Sequence, residues 1–189
     1  SVSISGGTFS SDVTDYLDDG CKLDDTGSVV PSDDSVASIG NKGYHSLEAA
    51  ITEAKEGATV TLLKNVTEDV TIPANTTVTL DLNGKTLTNE SSHTITNHGT
   101  LTIKDSVGGG TVDNVTHAKG ALVNYGNAIL ESGTLTRSKE AGSSPSTSGG
   151  NSWYVVDNNK GTMTVKGGNI VSTGKFSSLI RNIGDSTTK

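Results

Sequence analysis

The sequence predicts an all-β fold, a parallel β-helix (solenoid) covered at its N-terminal end by a short capping α-helix. Three observations predict it. A strand-and-turn unit recurs along the chain, its apolar residues alternate, and one short segment near residue 50 carries helical periodicity. Across 189 residues only 31% are hydrophobic and 4% aromatic, while glycine contributes 23 and proline 3. Apolar groups this sparse do not fill a broad helical bundle, and the Thr, Ser, Asn and Gly that replace them read as β-rich, secreted composition.

The repeat comes first because it decides the architecture. Asn97-His98-Gly99-Thr100-Leu101-Thr102-Ile103, Asn124-Tyr125-Gly126-Asn127-Ala128-Ile129-Leu130 and Asn159-Lys160-Gly161-Thr162-Met163-Thr164-Val165 share one pattern, and a further copy opens at Asn182-Ile183-Gly184. Thr76-Thr77-Val78-Thr79-Leu80 begins an earlier copy, and Val2 to Phe9 reads as the end of another. Anchored on Thr76, Gly99, Gly126, Gly161 and Gly184, the steps are roughly 23, 27, 35 and 23 residues, within the range of solenoid repeats. The longest step contains a Ser-, Gly- and Glu-rich stretch near 138–152, which is loop composition.

Within each copy Val78 with Leu80, Leu101 with Ile103, Ala128 with Leu130, and Met163 with Val165 fall on one face of a strand. Stacking the copies aligns them into a continuous apolar column. Asn97, Asn124, Asn159 and Asn182 stand where the chain must turn, a position Asn tolerates, and stacked they form a structural amide ladder. With strands about 4.8 Å apart, residues 58–189 give roughly five or six coils. Ahead of them Leu47, Ala50, Ile51 and Ala54 share a helical face, with Ser46 as N-cap, Glu48 in the first turn and Gly57 as the stop. About three turns of helix are therefore expected within 44–57, laid over the first coil to cover its strand edge and its apolar end. Residues 1–43 read as the end of a preceding repeat followed by an acidic connector.

The net charge of −7 and only two arginines, Arg137 and Arg181, exclude a phosphate-backbone binder, and no apolar run is long enough to span a bilayer. Cys21 stands alone, so no disulfide framework exists, and the acids beside it raise its thiol pKa. His45, His93, His98 and His117 form no metal-binding spacing, the acids from Asp12 to Asp25 do not follow the EF-hand pattern, and no metal or cofactor is expected. Hydrolysis needs paired carboxylates, yet the register that aligns Asp81 with Lys104 and Glu131 puts a lysine between two acids. Asp105, Asp113 and Arg181 do not assemble a lyase site either, so the chain is expected not to be an enzyme. Binding is easier to support: the scarce aromatics Tyr125, Trp153 and Tyr154 gather on or beside the coil with the long insertion and are the candidate ligand-binding residues. Trp153 and Tyr154 have a second reading, as cover for a core gap where the loop returns to Val155-Val156. A partner packing on the flat side of several coils would leave no motif.

Three motifs, Tyr44-His45-Ser46-Leu47-Glu48-Ala49-Ala50-Ile51, Val78-Thr79-Leu80-Asp81-Leu82-Asn83-Gly84-Lys85-Thr86-Leu87, and Ile4-Ser5-Gly6-Gly7-Thr8-Phe9-Ser10-Ser11-Asp12-Val13, carry a family likeness. The chain resembles the pectate-lyase-like parallel β-helix modules of large surface proteins of Gram-positive gut bacteria. The resemblance implies a right-handed β-helix with an N-terminal helical cap, secretion, and display on the cell wall in adhesion or host contact. It brings no active site with it. The expected function is an adhesin-like module for a mucosal glycan or a secreted host glycoprotein such as an immunoglobulin. The alternatives are a structural stalk and a polysaccharide-lyase-like enzyme. Without an initiator Met, a signal segment or an anchor motif, the chain is expected to be a monomeric fragment of a larger protein.

Overall fold

In a computed structural model, which describes residues 1–139, 153–173 and 178–189, the chain is mostly β with one α-helix. The expected loop near 138–152 lies almost wholly outside the described residues. The N-terminal part forms an antiparallel hairpin of β1 (Cys21–Leu23) and β2 (Val29–Pro31), then a second of β3 (Ala37–Ile39) and β4 (Lys42–Tyr44). After α1 (Leu47–Glu53), strands follow in threes. They are β5 (Ala58–Leu62) and β6 (Val66–Thr67); β7 (Val70–Ile72), β8 (Thr77–Asp81) and β9 (Thr86–Thr88); β10 (Ile95–Asn97), β11 (Thr100–Lys104) and β12 (Thr111–Asp113). Then come β13 (Leu122–Asn124), β14 (Asn127–Leu130) and β15 (Thr134–Arg137); β16 (Tyr154–Asn159), β17 (Thr162–Val165) and β18 (Asn169–Ser172); and finally β19 (Ser178–Ile183) and β20 (Thr187–Thr188).

Each set of three contributes one strand to each of three sheets, ordered β19-β16-β13-β10-β7, β20-β17-β14-β11-β8-β5-β3-β4 and β18-β15-β12-β9-β6. Every pairing between successive sets, hereafter rungs, is parallel. The parallel sheets follow from the repeat. Apolar residues at the same offset in each copy pair with their equivalents in the next, and the register places Leu101 between Val78 and Ala128 and Ile103 between Leu80 and Leu130. The expected apolar column is therefore present, with Val60, Leu80, Ile103 and Leu130 buried along one row and Val66, Leu87, Val112 and Leu135 along another.

The helix is shorter than expected. It ends at Glu53, and Ala54 is already extended. Gly57 is not the stop; its N–H donates to the Thr77 carbonyl at 2.8 Å, which pulls residues 54–57 into the first rung. The N-cap is as expected, the Ser46 hydroxyl accepting from Ala49 N–H at 3.1 Å. A second cap comes from the rungs: the Glu68 carboxylate accepts from Leu47 N–H at 2.9 Å and Glu48 N–H at 3.1 Å, a favourable charge at a helix N-terminus. Leu47, Ala50 and Ile51 enter the core. The strand edge of the first rung is closed by β3, antiparallel to β5, rather than by the helix. Helix and hairpin thus divide the two tasks expected of the helix alone.

Candidate functional site

The amide ladder runs through Asn97, Asn124, Asn158 and Asn182. Each Nδ2–H donates to the Oδ1 of the next rung, at 2.7, 2.8 and 2.9 Å, while the first three amides are fully buried. Asn159, the expected member, is displaced by one position and pairs with Ile183. The reason is an extra corner residue: Asn158 and Gly161 are separated by two residues where Asn97-Gly99 and Asn124-Gly126 have one, and Lys160 takes the left-handed conformation (φ 60°) to absorb it. The glycines beside the ladder are required by close backbone approach, since a methyl at Gly126 would stand 2.2 Å from the Gly99 carbonyl oxygen. These amides have their hydrogen bonds inside the stack, which makes them structure rather than a ligand site. A second amide pair, absent from the sequence reading, joins another corner. Asn89 Oδ1 accepts from Val115 N–H at 2.8 Å, and Asn114 Nδ2–H donates to the backbone carbonyls of Ser92 and Gly120 at 2.8 and 3.0 Å.

The three candidate aromatics separate into two places. Tyr125 follows the ladder Asn at the C-terminal end of β13. It is 44% exposed and stacks flat on His98 of the rung before, 4.9 Å between ring centroids and 4° between planes. Beside it runs a groove of about 480 Å³ lined by Glu56, Asn75, Thr77, His98, Thr100 and Asn127 together with the corner backbone. Trp153 and Tyr154 lie at the opposite, N-terminal end of the same sheet, roughly 15–20 Å away by the strand rise. They flank Arg181, whose guanidinium carbon is 5.1 Å from the Trp153 ring centroid and 4.5 Å from that of Tyr154. Arg181 also grips buried Asp157 with two bonds, Nε to Oδ1 at 2.9 Å and Nη2 to Oδ2 at 2.6 Å. The hydrogen bond to Asp157 raises the guanidinium pKa above its ordinary value, so the cation is fixed. The His93 ring lies 6.0 Å from Trp153, and its Nδ1 accepts from Gly120 N–H at 2.9 Å, while burial lowers its pKa and keeps it neutral. Sequence proximity brought Tyr125 into this group; the strand length takes it out.

The outer face of the eight-stranded sheet is ruled by side chains in rows. Thr59, Thr79, Thr102, Ile129 and Thr164 form one row, and Thr77, Thr100, Asn127, Thr162 and Thr187 form another. The alignment of Asp81 with Lys104 and Glu131 holds and extends by one: Lys104 pairs with Asp81 at 3.6 Å and Lys166 with Glu131 at 3.5 Å. Alternating signs make this row a ladder of ion pairs, not a carboxylate pair for acid-base chemistry. Asp105 and Asp113 are likewise occupied. Asp105 accepts from Gly84 N–H at 2.8 Å and Gly110 N–H at 2.7 Å, and Asp113 from Ser138 N–H at 2.9 Å and the Ser138 hydroxyl. Burial pushes the Asp105 carboxyl up, but its backbone N–H bonds outweigh that and hold it below the ordinary value.

In the N-terminal part, Thr14, Leu17, Asp18, Asp19, Cys21 and His45 contribute to an open cleft of about 540 Å³. The His45 ring stands between Asp19 (3.3 Å) and Asp34 (3.5 Å). Burial raises the Cys21 thiol above its ordinary pKa. Among the described residues no group of three or more His, Cys, Asp or Glu is arranged to hold a metal ion, and no helix is long and apolar enough to cross a membrane.

Fold and surface together define the class: a mostly β repeat protein of parallel sheets, compatible with a solenoid, in which Tyr125 is the exposed aromatic of the stacked strands among the described residues. No protein-family model, curated protein or solved structure matches the chain.

Proposed function

We propose that the chain is a right-handed parallel β-helix module of a secreted, cell-wall-displayed surface protein, and that it binds a host ligand without catalysis. The handedness rests on the rule that parallel strands joined by a crossover connect right-handedly. The ligand is a mucosal glycan or a secreted host glycoprotein such as an immunoglobulin, and the mechanism is complementarity to a rigid surface that loses little entropy on binding. The observation that carries the reading is Tyr125, exposed and stacked on His98, a residue that lines a groove of hydroxyl, amide and carboxylate groups. An aromatic platform beside polar groups suits both a sugar ring and a protein anchor. Trp153 and Tyr154 are the weaker part of the site, because Arg181 already occupies the space between their rings.

The test is saturable binding of the purified chain to arrays of mucin glycans and secreted host proteins, alongside Tyr125→Ala and the pair Trp153→Ala and Tyr154→Ala. Loss of at least tenfold in affinity with Tyr125→Ala, and little change with the pair, is expected. Binding indifferent to all three moves the site to the threonine rows of the flat sheet. Absence of any binding would leave the spacer reading, in which the same rigid stack holds another domain away from the wall.

A further inference from the structure

The corner that carries His98 and Tyr125 belongs to a groove whose lining repeats. Four successive rungs contribute to it: Glu56 at the first, Asn75 and Thr77 at the second, His98 and Thr100 at the third, and Asn127 at the fourth. The register sets Thr77, Thr100 and Asn127 side by side in one row, and Glu56 stands two residues before Ala58, which pairs with Val78. The groove therefore runs along the stack axis, crosses one strand every step of about 4.8 Å, and presents a polar side chain at each crossing. It ends at Asn127, where the following corner is the one lengthened by Lys160.

These polar groups are not consumed by the fold. Asn97 and Asn124 direct their amides into the stack. The exposed amide of Asn127 and the half-buried hydroxyls of Thr77 and Thr100 make no hydrogen bond among the described residues, and the exposed Glu56 carboxylate forms no ion pair there. A hydroxyl donates and accepts, and a side-chain amide does the same through its two atoms, so the row suits a ligand whose own groups do both. A carboxylate lines the groove and no lysine or arginine does. An anionic ligand would set its charge beside Glu56 with no cation to offset it, a repulsion that an uncharged ligand escapes.

Sugar chemistry supplies a ligand with this period. An extended β-linked pyranose chain advances one ring per residue, close to the spacing of about 4.8 Å between strands, and carries hydroxyls along both edges. We propose that the groove holds an unbranched, uncharged, β-linked polysaccharide along the stack axis, one sugar ring to each rung. Thr77, Thr100 and Asn127 then bond three consecutive sugars, Glu56 accepts from hydroxyls of a fourth, and His98, stacked on Tyr125, packs against the chain from the corner. The proposal rests on the reading of the Tyr125 corner as a ligand site and narrows it: what is recognised is a run of neutral sugars, not a single terminal sugar, an acidic one or a protein surface. Because the rungs are held by the stack, each added sugar gains its contacts without ordering the protein. Affinity therefore grows with chain length until the groove is filled.

Titration calorimetry of the purified chain with cello-oligosaccharides and with oligo-N-acetyllactosamines of two to six sugars tests this. In at least one series affinity is expected to rise about three- to tenfold per sugar, the worth of a net hydrogen bond, up to four sugars and to level off beyond. The same oligomers oxidised at their primary hydroxyls to carboxylates are expected to bind about tenfold more weakly or worse, and Glu56→Gln is expected to narrow that gap. Thr100→Val keeps the side-chain shape without the hydroxyl and is expected to weaken the tetrasaccharide about three- to tenfold. Thr102→Val, two residues along the same strand and outside the groove, is expected to change nothing. Circular dichroism checks both folds; should Thr100→Val disturb its own, Thr77→Val replaces it, and the length series needs no variant. Affinity independent of length, carboxylated oligomers bound as tightly as neutral ones, or Thr100→Val and Thr102→Val behaving alike each overturns the proposal. Absence of binding to both series overturns it too. If the arrays then still show a host glycoprotein bound and lost with Tyr125→Ala, the reading of the site stands and the polysaccharide alone falls; if nothing is bound, both fall.

Discussion

At the β5 end of the stack, Leu47, Ala50 and Ile51 of α1 lie over the apolar interior and β3 pairs the exposed strand edge. At the β18–β20 end the same apolar rows reach Val165 and Ile170, and among the described residues β18, β19 and β20 are each paired on one side. Both ends are cut from one repeat, so the difference is not in the rungs. It lies in what is added to them. A repeat buries its apolar side only between neighbours, and the sequence just before the first rung is given over to replacing the missing neighbour. α1 is held there by the Glu68 carboxylate, and β3 by its register with Thr61 and Leu62. Among the described residues no strand pairs the free side of β18.

The comparison is broken most forcefully by placing the same charge at each end. Ile51→Asp buries a carboxylate among apolar neighbours and is expected to cost about 3–5 kcal/mol, enough to unfold a domain of ordinary stability. Val171→Asp, on the exposed side of β18, is expected to change stability by no more than about 0.5 kcal/mol. Urea denaturation followed by circular dichroism measures both. Similar midpoints for the two variants would mean that α1 does not seal the interior.

The amide ladder draws the same contrast at smaller scale. Asn124 is fully buried and bonds to Asn97, Asn158 and the Thr162 carbonyl, whereas Asn182 is the exposed last member. Asn124→Ala leaves several of those groups without a partner and is expected to cost about 2–4 kcal/mol, against about 1 kcal/mol or less for Asn182→Ala. Equal costs in denaturation would show that the ladder is not cooperative with burial.

Which of these features the sequence disclosed depends on whether they repeat. Leu101, Ile103, Ala128 and Leu130 were legible because alternation has a fixed period and each copy confirms the next. The ladder was legible at Asn97, Asn124 and Asn182. At the third corner Asn158 and Asn159 are neighbours of the same type, and only backbone pairing reveals that an added residue shifts the ladder to the first. The helix start was legible in Ser46, but its end was not, because the bond from Gly57 N–H to Thr77 O is made with another rung. Non-repeating parts were read least. β1 to β4 lie in a stretch that its aspartates mark as an acidic connector, and the antiparallel pairing of Ala37 with Leu62 leaves no periodic trace. Of the candidate site, Tyr125 was visible as a scarce aromatic. Its partner His98 was visible only as a residue at the same offset from the repeated Gly, and its separation from Trp153 needed the strand between them.

The smallest effect expected concerns acid. Near the sealed end the carboxyls of Asp12, Asp24 and Asp34 are held below the ordinary value, first by side-chain hydrogen bonds from Thr14, Thr26 and Ser32 respectively, and that of Glu53 by its bond to Lys42. A carboxyl whose folded pKa is depressed contributes stability that is complete above its unfolded pKa and is lost as pH falls through the folded value. These contributions are therefore intact at neutral pH and disappear below about pH 4, where unperturbed carboxylates begin to protonate. All four groups are close to the solvent, so each effect is slight, but they share one region. The rungs rest chiefly on apolar rows and on amides that do not titrate. Amide hydrogen exchange, compared as protection factors at neutral and acid pH, is expected to show the β1–β2 hairpin losing protection while the amides of β8, β11 and β14 keep theirs. Loss of protection in the rungs before the hairpin would place the acid-sensitive contacts in the stack itself, at Asp105 and its ring of N–H donors, and would make the end that looks better covered the more robust of the two.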